Sequence, residues 1–457
     1  MAASPEQHDP YLAFRSPAYR AYSIGNFIAV IGRQMLGVAI GYEVFQRTHS
    51  ATALGLIGLA GALPIIFLAL PAGQVADRFN RRNIIIVTQA MSVLTSLGLM
   101  LTSVLADRIP AWPILQMASR GLQWLAAAFH EGSVTFRTEI PLMFALLLLN
   151  GVARTFGWAA RSPVVANLVP RAALANAITW GSSLFEIGSI TGPALGGLII
   201  ALLGFPAVYA LDAACGFAFI MFLLPIRIQQ ERARPEGHPL RELFSGLRFV
   251  GQTKAILATI TLDLFAVLLG GATALLPMYA EQILHIGALG LGWLRSAQSL
   301  GAVAMAVTLA HLPPLKKAGW TMLFAVAAFG AATILFGLSR SFWLSFGALV
   351  LVGAADNVSV VVRHTLVQVL TPDAMRGRVA AVNNIFIGSS NELGAFESGI
   401  TAALFGPVLS VIAGGIGTIL VVIAVGLKWP EVRQIGSLVA EPEKVPEAEL
   451  ESSGSNT

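Results

Sequence analysis

Long apolar runs, each broken by only a few polar residues, set the plan of this chain. They fall at roughly 20–45, 52–76, 83–106, 140–161, 173–203 and 205–227 in the first half. The second half repeats the pattern at roughly 254–284, 287–311, 318–338, 341–363, 379–404 and 406–428. Each run can cross a hydrocarbon core of about 30 Å, which takes ~20 apolar residues in a helix. None alternates apolar with polar residues as a barrel strand does. The pattern predicts an all-α membrane protein of about 12 transmembrane helices, two sets of six.

Composition fits that solvent. Hydrophobic residues make up 56% of the 457-residue chain and charged residues only 12%; soluble domains carry about 25% charged residues. A water-facing surface cannot be covered with so little charge. The single Cys215 excludes a disulfide framework and, with scattered histidines, gives no metal-ligand pattern. No phosphate-cradling glycine loop and no nucleophile–base arrangement is present, so neither ATP-driven transport nor an enzyme is expected, and no cofactor.

The net charge of +5 does not point to nucleic acid, because the basic residues form short clusters between apolar runs. With the amino terminus inside, 21 of the 29 Lys and Arg fall on the cytoplasmic side, Arg161 and Arg363 among them. Outside fall Arg47, Arg108, Arg120, Arg137 and Arg340, and within spans Arg33, Arg154 and Arg295. Positive charge is retained inside, which gives a multi-pass protein of a bacterial inner membrane with both termini cytoplasmic.

The expected segments are a cytoplasmic start at 1–19, a first six-helix bundle at 20–227 and a cytoplasmic loop at 228–253. A second bundle at 254–429 and a cytoplasmic tail at 430–457, disordered from Glu441, complete the chain. Within the first bundle, 107–140 is an external insertion. There Leu115, Leu122, Leu125 and Phe129 share one helix face, as in a helix lying along the membrane surface. The halves also echo each other at an offset of 202 residues: Arg161–Pro170 matches Arg363–Pro372, Gly192 matches Gly394, and Gly197 matches Gly399.

Two strings carry more than topology. The turn after the second span reads Gly73-Gln-Val-Ala-Asp77-Arg78-Phe-Asn-Arg81-Arg82. A positive-inside loop explains its arginines, and Gly73 would let helices approach closely. The fifth apolar run holds Gly188, Gly192, Pro193, Gly196 and Gly197. Glycines at 188, 192 and 196 make one stripe for tight backbone contact, and Pro193 removes a backbone donor.

The first string resembles the signature between the second and third helices of the major facilitator superfamily. That resemblance implies two pseudo-symmetric six-helix bundles with alternating access, and a charge latch at Gly73, Asp77, Arg78, Arg81 and Arg82 that stabilises the outward-facing state. The second string is similar to the fifth-helix motif of drug:proton antiporters, which implies efflux. Strings around Asp263–Pro277, Arg363–Arg378 and Asn391–Gly399 are similar to the branch containing enterobactin-type siderophore exporters and macrolide pumps. One departure stands out: Arg154 is followed by Gly157 at three residues, where the family pattern has four.

Charge inside a membrane costs at least about 2.5–3.5 kcal/mol, so intramembrane ionisable residues are functional candidates. Arg33, Arg154, Glu186, Asp263, Asp356 and Glu392 are the candidates for proton or substrate coupling, with Arg33 or Arg154 paired to Glu186, Asp263 or Glu392. Each could equally be a structural inter-helix contact. Glu43, Glu281 and Arg340 lie near span ends, where they would snorkel. The expected activity is proton-coupled export of a small amphipathic compound by a monomer in lipid. Metabolite uptake, a lipid flippase or a non-transporting receptor on the same fold are the alternatives.

Overall fold

The computed structural model describes residues 9–436 apart from 111, 133, 228–238 and 314–315. Residues 1–8, much of the central loop with Arg232 and Arg234, and the expected disordered tail lie outside the described residues.

Helices follow the apolar runs. The first half contains α1 (Pro17–Thr48), α2 (Ala51–Arg78), α3 (Arg81–Val104), α4 (Pro113–Ala128), α5 (Glu139–Leu168), α6 (Leu174–Leu203) and α7 (Phe205–Leu223). Next come α8 (Pro239–Gln252), α9 (Lys254–Leu269), a short α10 (Leu276–Met278) running into a π turn at Tyr279–Ile283, and α11 (Gly287–His311). The chain closes with α12 (Ala318–Leu338), α13 (Phe342–Leu370), α14 (Asp373–Phe405), α15 (Pro407–Lys428) and a short α16 (Pro430–Arg433).

Side-chain oxygens mark the helix starts. Ser16 accepts from the Tyr19 amide, Ser50 from Ala53, and Asn80 from Arg82 and Asn83, satisfying donors that a first turn leaves free. Gly204 and Gly406 end α6 and α14 with φ of +81° and +84°, each followed at once by a helix that begins with proline at its first or second position. These two turns are themselves 202 residues apart, the offset of the sequence repeat.

Among the described residues ten helical segments are long and apolar enough to cross a membrane, so the chain is a multi-pass membrane protein. The two long helices outside that set are α11 and α14, which carry Arg295, and Glu392 and Glu397, respectively. Both pack across the molecule, α11 against α6 and α14 against α2. Glu392 and Glu397 are half-buried there, while Arg295 is exposed and donates to the Thr273 carbonyl at 3.2 Å. With these two the twelve expected spans are accounted for.

The remaining helices pack within their own half: α1 with α6 and α7, α3 with α5 and α7, α12 with α13 and α15. The repeat governs this packing. Gly192 lies against α1 at Ile31 and Gln34, and Gly394 against α9 at Val267 and Leu268. Gly197 meets Gly292 of α11, and Gly399 meets Gly55 of α2.

The apolar core is continuous across the halves at one end only. There Tyr42, Phe45 and Leu54 share a cluster with Leu275, Tyr279, Leu294 and Phe336. At the other end the cores separate: one cluster holds Tyr19, Ile85, Leu168 and Leu223 from the first half. Its counterparts hold Met322, Val362 and Leu366, and Ile256, Val367 and Val379, from the second. Among the described residues, then, the halves share an apolar core near the α1–α2 turn and keep separate apolar cores near the α2–α3 turn, which we call the closed and the parted end.

Helix α4 has 16 residues, a rise of ~24 Å, too short to span. It packs on α5 through the expected face, with Ser119 and Ala126 buried and Leu115, Leu122 and Leu125 half-buried. After it, Glu131 turns back and takes the start of α2, accepting from Ser50 Oγ at 2.5 Å, Ala51 N at 2.8 Å and Thr52 N at 3.2 Å. Two predicted span ends move: Arg161 and Arg363, the last residues of their apolar runs, lie within α5 and α13, because these helices run on to Leu168 and Leu370.

Candidate functional site

Among the described residues each half holds a pocket within its bundle, a polar one in the first and a mainly apolar one with two carboxylates in the second. The first is built by α1, α3, α5 and α7. Its wall includes Arg33, Thr88, Gln89, Ser92, Asn150, Arg154, Arg161 and Asp212, around a cavity of about 20 Å³. Three guanidiniums thus face a single carboxylate. Asp212 accepts from Ser96 Oγ at 2.5 Å and lies so close to α1 that a Cβ at Gly32 would come within 2.8 Å of its Oδ1. Arg161 donates to Gln89 Oε1 at 2.7 Å and stands 5.5 Å from the ring centre of Phe219, an attractive placement for a cation. Among the described residues Arg33 has no hydrogen-bond or ion-pair partner.

Arg154 faces this pocket and also reaches the other half. Its guanidinium pairs with Glu392 of α14 at 2.5 Å. The Glu392 carboxylate is pressed against α2: a Cβ on Gly61 would lie 2.5 Å from its Oε2. Of the pairings open from the sequence, Arg154 with Glu392 is formed. Arg33 and Asp212 share the pocket wall, and Glu186 on α6 has no ion pair among the described residues.

The second pocket is smaller, about 10 Å³, and is lined by Asp263, Asp356, Ser359 and the apolar Val267, Val326 and Phe329. Arg363 of α13 donates to Asp263 of α9 in a buried ion pair. Arg363 and Arg161 are repeat mates. Each lies buried or half-buried in its half and faces the first long helix of that half's bundle or its neighbours, yet only Arg363 meets a carboxylate. Neither was legible as a site residue, because each stands where its apolar run stops. The exact offset of 202 residues between them was the usable signal. Glu397 of α14, half-buried, was also missed.

The antiporter-like string forms the expected seam. A Cβ at Gly188 would meet Val30 Cγ1 at 2.6 Å, at Gly192 Gln34 Cβ at 2.5 Å, and at Gly196 Met35 Cα at 3.0 Å, all on α1. Gly197 and the Pro193 carbonyl turn instead to α11 in the other half, where Ser296 Oγ donates to the Ile190 carbonyl at 2.6 Å.

At the latch string, Arg81 pairs with Asp77 at 3.6 Å and donates to Asn167 at 3.4 Å. Arg82 donates to the carbonyls of Leu223 at 2.9 Å and of Leu224, and Arg78 is exposed. Gly73 does not serve close approach here, since a Cβ on it would meet nothing within 4 Å; it lies toward the parted end.

The closed end holds a charged network that the sequence assigned to snorkelling. Glu43 is fully buried and accepts from Arg47 at 2.7 Å, Ser103 Oγ at 2.6 Å and Tyr209 Oη at 2.5 Å. Arg47 and Arg137 approach Glu139 at 3.5 and 3.6 Å, and Glu281 accepts from Tyr42 Oη at 2.5 Å. Arg137 also pairs with Asp107 at 2.7 Å. That hydrogen bond and the guanidinium charge hold the exposed Asp107 carboxyl below its ordinary range.

Comparison with known proteins agrees with this architecture. Residues 8–453 match the sequence profile of the family described as transmembrane secretion effector. The enterobactin exporter EntS of Escherichia coli O1:K1 is 26% identical over 422 residues, covering 92% of this chain and 93% of that protein. EntS of Shigella boydii serotype 18 gives the same values. Among solved structures, the nucleoside transporter NupG superposes with a TM-score of 0.63 at 12% identity, over 90% of this chain and 98% of that one. A bacterial homologue of the human lysosomal transporter Spinster, inward-facing and unoccupied, gives 0.63 at 15% identity, over 92% and 98%. The inward-open xylose transporter XylE from E. coli gives 0.62 at 14%, over 97% and 100%. With a profile match along nearly its whole length, this chain belongs to the transmembrane secretion effector family of major facilitator secondary transporters.

Proposed function

We propose that this protein exports a small amphipathic, siderophore-like compound from a bacterial cell in exchange for protons, by alternating access. Residues 20–227 and 254–429 are the two moving bundles, both termini are cytoplasmic, and the protein acts as a monomer in the inner membrane. On this orientation the closed end is periplasmic and the chain is in an inward-facing state.

The observation that carries the proton half of the reading is the buried Asp263–Arg363 pair beside Asp356. Two carboxylates line this pocket and only Asp263 is paired with the guanidinium, so the group carries one negative charge too many for an apolar setting, where unpaired charge is costly. A proton on the spare carboxylate removes that excess. The pocket gives it a place to arrive, and a change of access lets it leave on the other side. The relatives named as enterobactin exporters support the cargo class and the direction.

The test uses oriented proteoliposomes with an entrapped pH dye and a panel of siderophores, macrolides and dyes. Substrate-evoked proton flux is expected, and it should disappear in Asp263→Asn, Asp356→Asn or Glu392→Gln protein that still folds. Silence across the panel from correctly oriented protein, or full flux in Asp263→Asn and Asp356→Asn, would overturn the reading.

A further inference from the structure

The first-half pocket is the less expected of the two, because its charges do not cancel. Arg33, Arg154 and Arg161 face one carboxylate, Asp212. Arg161 is partly accommodated by Gln89 and the Phe219 face, and Arg154 by Glu392. Arg33 makes no hydrogen bond or ion pair among the described residues and has only the charge of Asp212 on the same pocket wall to offset its own, although it sits well inside α1 and is only half-exposed. A guanidinium brings five donors and a permanent charge, and to hold it unpaired within a bundle costs several kcal/mol. A structure that retains such a group needs a partner that comes and goes.

We propose that this pocket binds an anionic group of the transported compound, a carboxylate or an ionised phenol on an amphipathic frame. Arg33 is its principal ligand, and Arg154 is shared between that anion and Glu392. The inference rests on the exporter reading and narrows it to a charge class. The enclosed space is about 20 Å³, room for little more than a water-sized group, so the site takes the charged tip of the acid and the rest of the compound stays outside it.

Arg154 gives the site a mechanical role. It touches the pocket and also bridges α5 to α14, so an arriving anion competes with Glu392 for one guanidinium. Each step of that exchange loosens a bond between the halves as cargo is gained. Glu392, seated against Gly61, is then the internal stand-in for the cargo's charge. Asp212 acts the other way, as a fixed anion that weakens binding of another.

Titration calorimetry of the full chain in lipid nanodiscs, with no gradient, tests this with three aromatic probes of similar size. These are salicylate (anion), salicylamide (neutral) and benzylamine (cation). Salicylate should bind at least about tenfold tighter than the other two, a modest return for one charge pair in a partly desolvated site. Arg33→Gln should weaken salicylate by about tenfold or more, and Arg33→Lys by less. Asp212→Asn and Glu392→Gln should tighten it several-fold, gains that a misfolded protein could not produce. Equal binding of the three probes, no salicylate binding by folded wild-type protein, or a salicylate affinity indifferent to Arg33→Gln and Asp212→Asn would each overturn the proposal. Proton exchange driven by neutral compounds, with no salicylate binding, would end this inference and leave the exporter reading standing. Charge-selective binding without transport of anything would do the reverse.

Discussion

Adding one methyl group at Gly197 should move the whole protein. A Cβ there would lie 2.4 Å from the Ala288 carbonyl oxygen, 2.9 Å from Gly292 Cα and 3.0 Å from Gly292 N. All three are backbone atoms of the opposite half, so no side-chain rotation relieves the overlap. Non-bonded carbon contacts settle near 3.5–4.0 Å, so the halves must separate locally by about 1 Å. Overpacking of this kind costs about 1–3 kcal/mol. The cost falls only on the state in which this end is closed. The equilibrium should therefore shift about 5- to 150-fold toward the state opened at the α1–α2 end. Gly399→Ala, whose Cβ would lie 2.4 Å from Gly55 Cα, should act in the same direction. Gly188→Ala is the contrast: its clash, with Val30 Cγ1 at 2.6 Å, lies within the first half and should lower stability without changing the balance of states. Because Cys215 is the single cysteine, one replacement clears the background for spin labels at the exposed Gln46 and Ser341. Pulsed electron resonance on Gln46→Cys, Ser341→Cys protein should show a longer distance population in the Gly197→Ala and Gly399→Ala variants. If folded protein carrying either alanine keeps the wild-type distribution, the glycine contacts do not hold this end shut.

Other expectations follow from single contacts. Asp263→Ala would take from the buried Arg363 its one ion-pair partner among the described residues and leave only the unbonded Asp356 nearby; it should destabilise the protein by up to about 3–5 kcal/mol, read as a fall in melting temperature, and the double variant with Arg363→Met should recover much of it. Glu131→Ala removes the acceptor for three donors at the start of α2 and should cost about 1–2 kcal/mol in the same assay. The lowered Asp107 carboxyl makes a pH prediction of definite sign. Its folded pKa lies below its unfolded one, so its contribution is complete above the unfolded value of about 3.9 and is lost only as pH falls through the lower folded value. The Asp107–Arg137 coupling from a double-mutant cycle should thus be equal at pH 7 and pH 5; weakening across that interval would contradict the hydrogen bond.

The sequence revealed most where one physical demand acts alone. Spans were legible because lipid imposes about 20 apolar residues on every helix it touches, and their predicted limits differ from the helices mainly at α5, α13 and α14. Two of those ends carry Arg161 and Arg363, and polarity there was read as exit from the membrane. Burial against neighbouring helices is a tertiary fact that hydropathy does not encode. The same limit applies to Glu43: its position near a span end suggested snorkelling, yet Ser103, Tyr209 and Arg47 enclose it. The glycines at 188, 192 and 196 were readable because helical periodicity alone places them on one face. Which guanidinium meets which carboxylate was not, since Arg154 and Glu392 are brought together by the packing of two halves rather than by spacing along either.

The polarity of α11 and α14 has a consequence for how the protein is made. Membrane insertion proceeds from the amino terminus, and a segment enters lipid unaided only if its own side chains favour it. These two helices are the least able to do so, and each rests on a helix synthesised earlier, α6 and α2 respectively. The first half is therefore a template on which the polar helices of the second are retained, much as an intramolecular chaperone holds a client. Expressed by itself, the segment from Lys254 onward should integrate its apolar helices and lose α11 and α14 to the aqueous side. Supplied with the first half as a separate chain, it should regain them, and with them the arrangement of its charges.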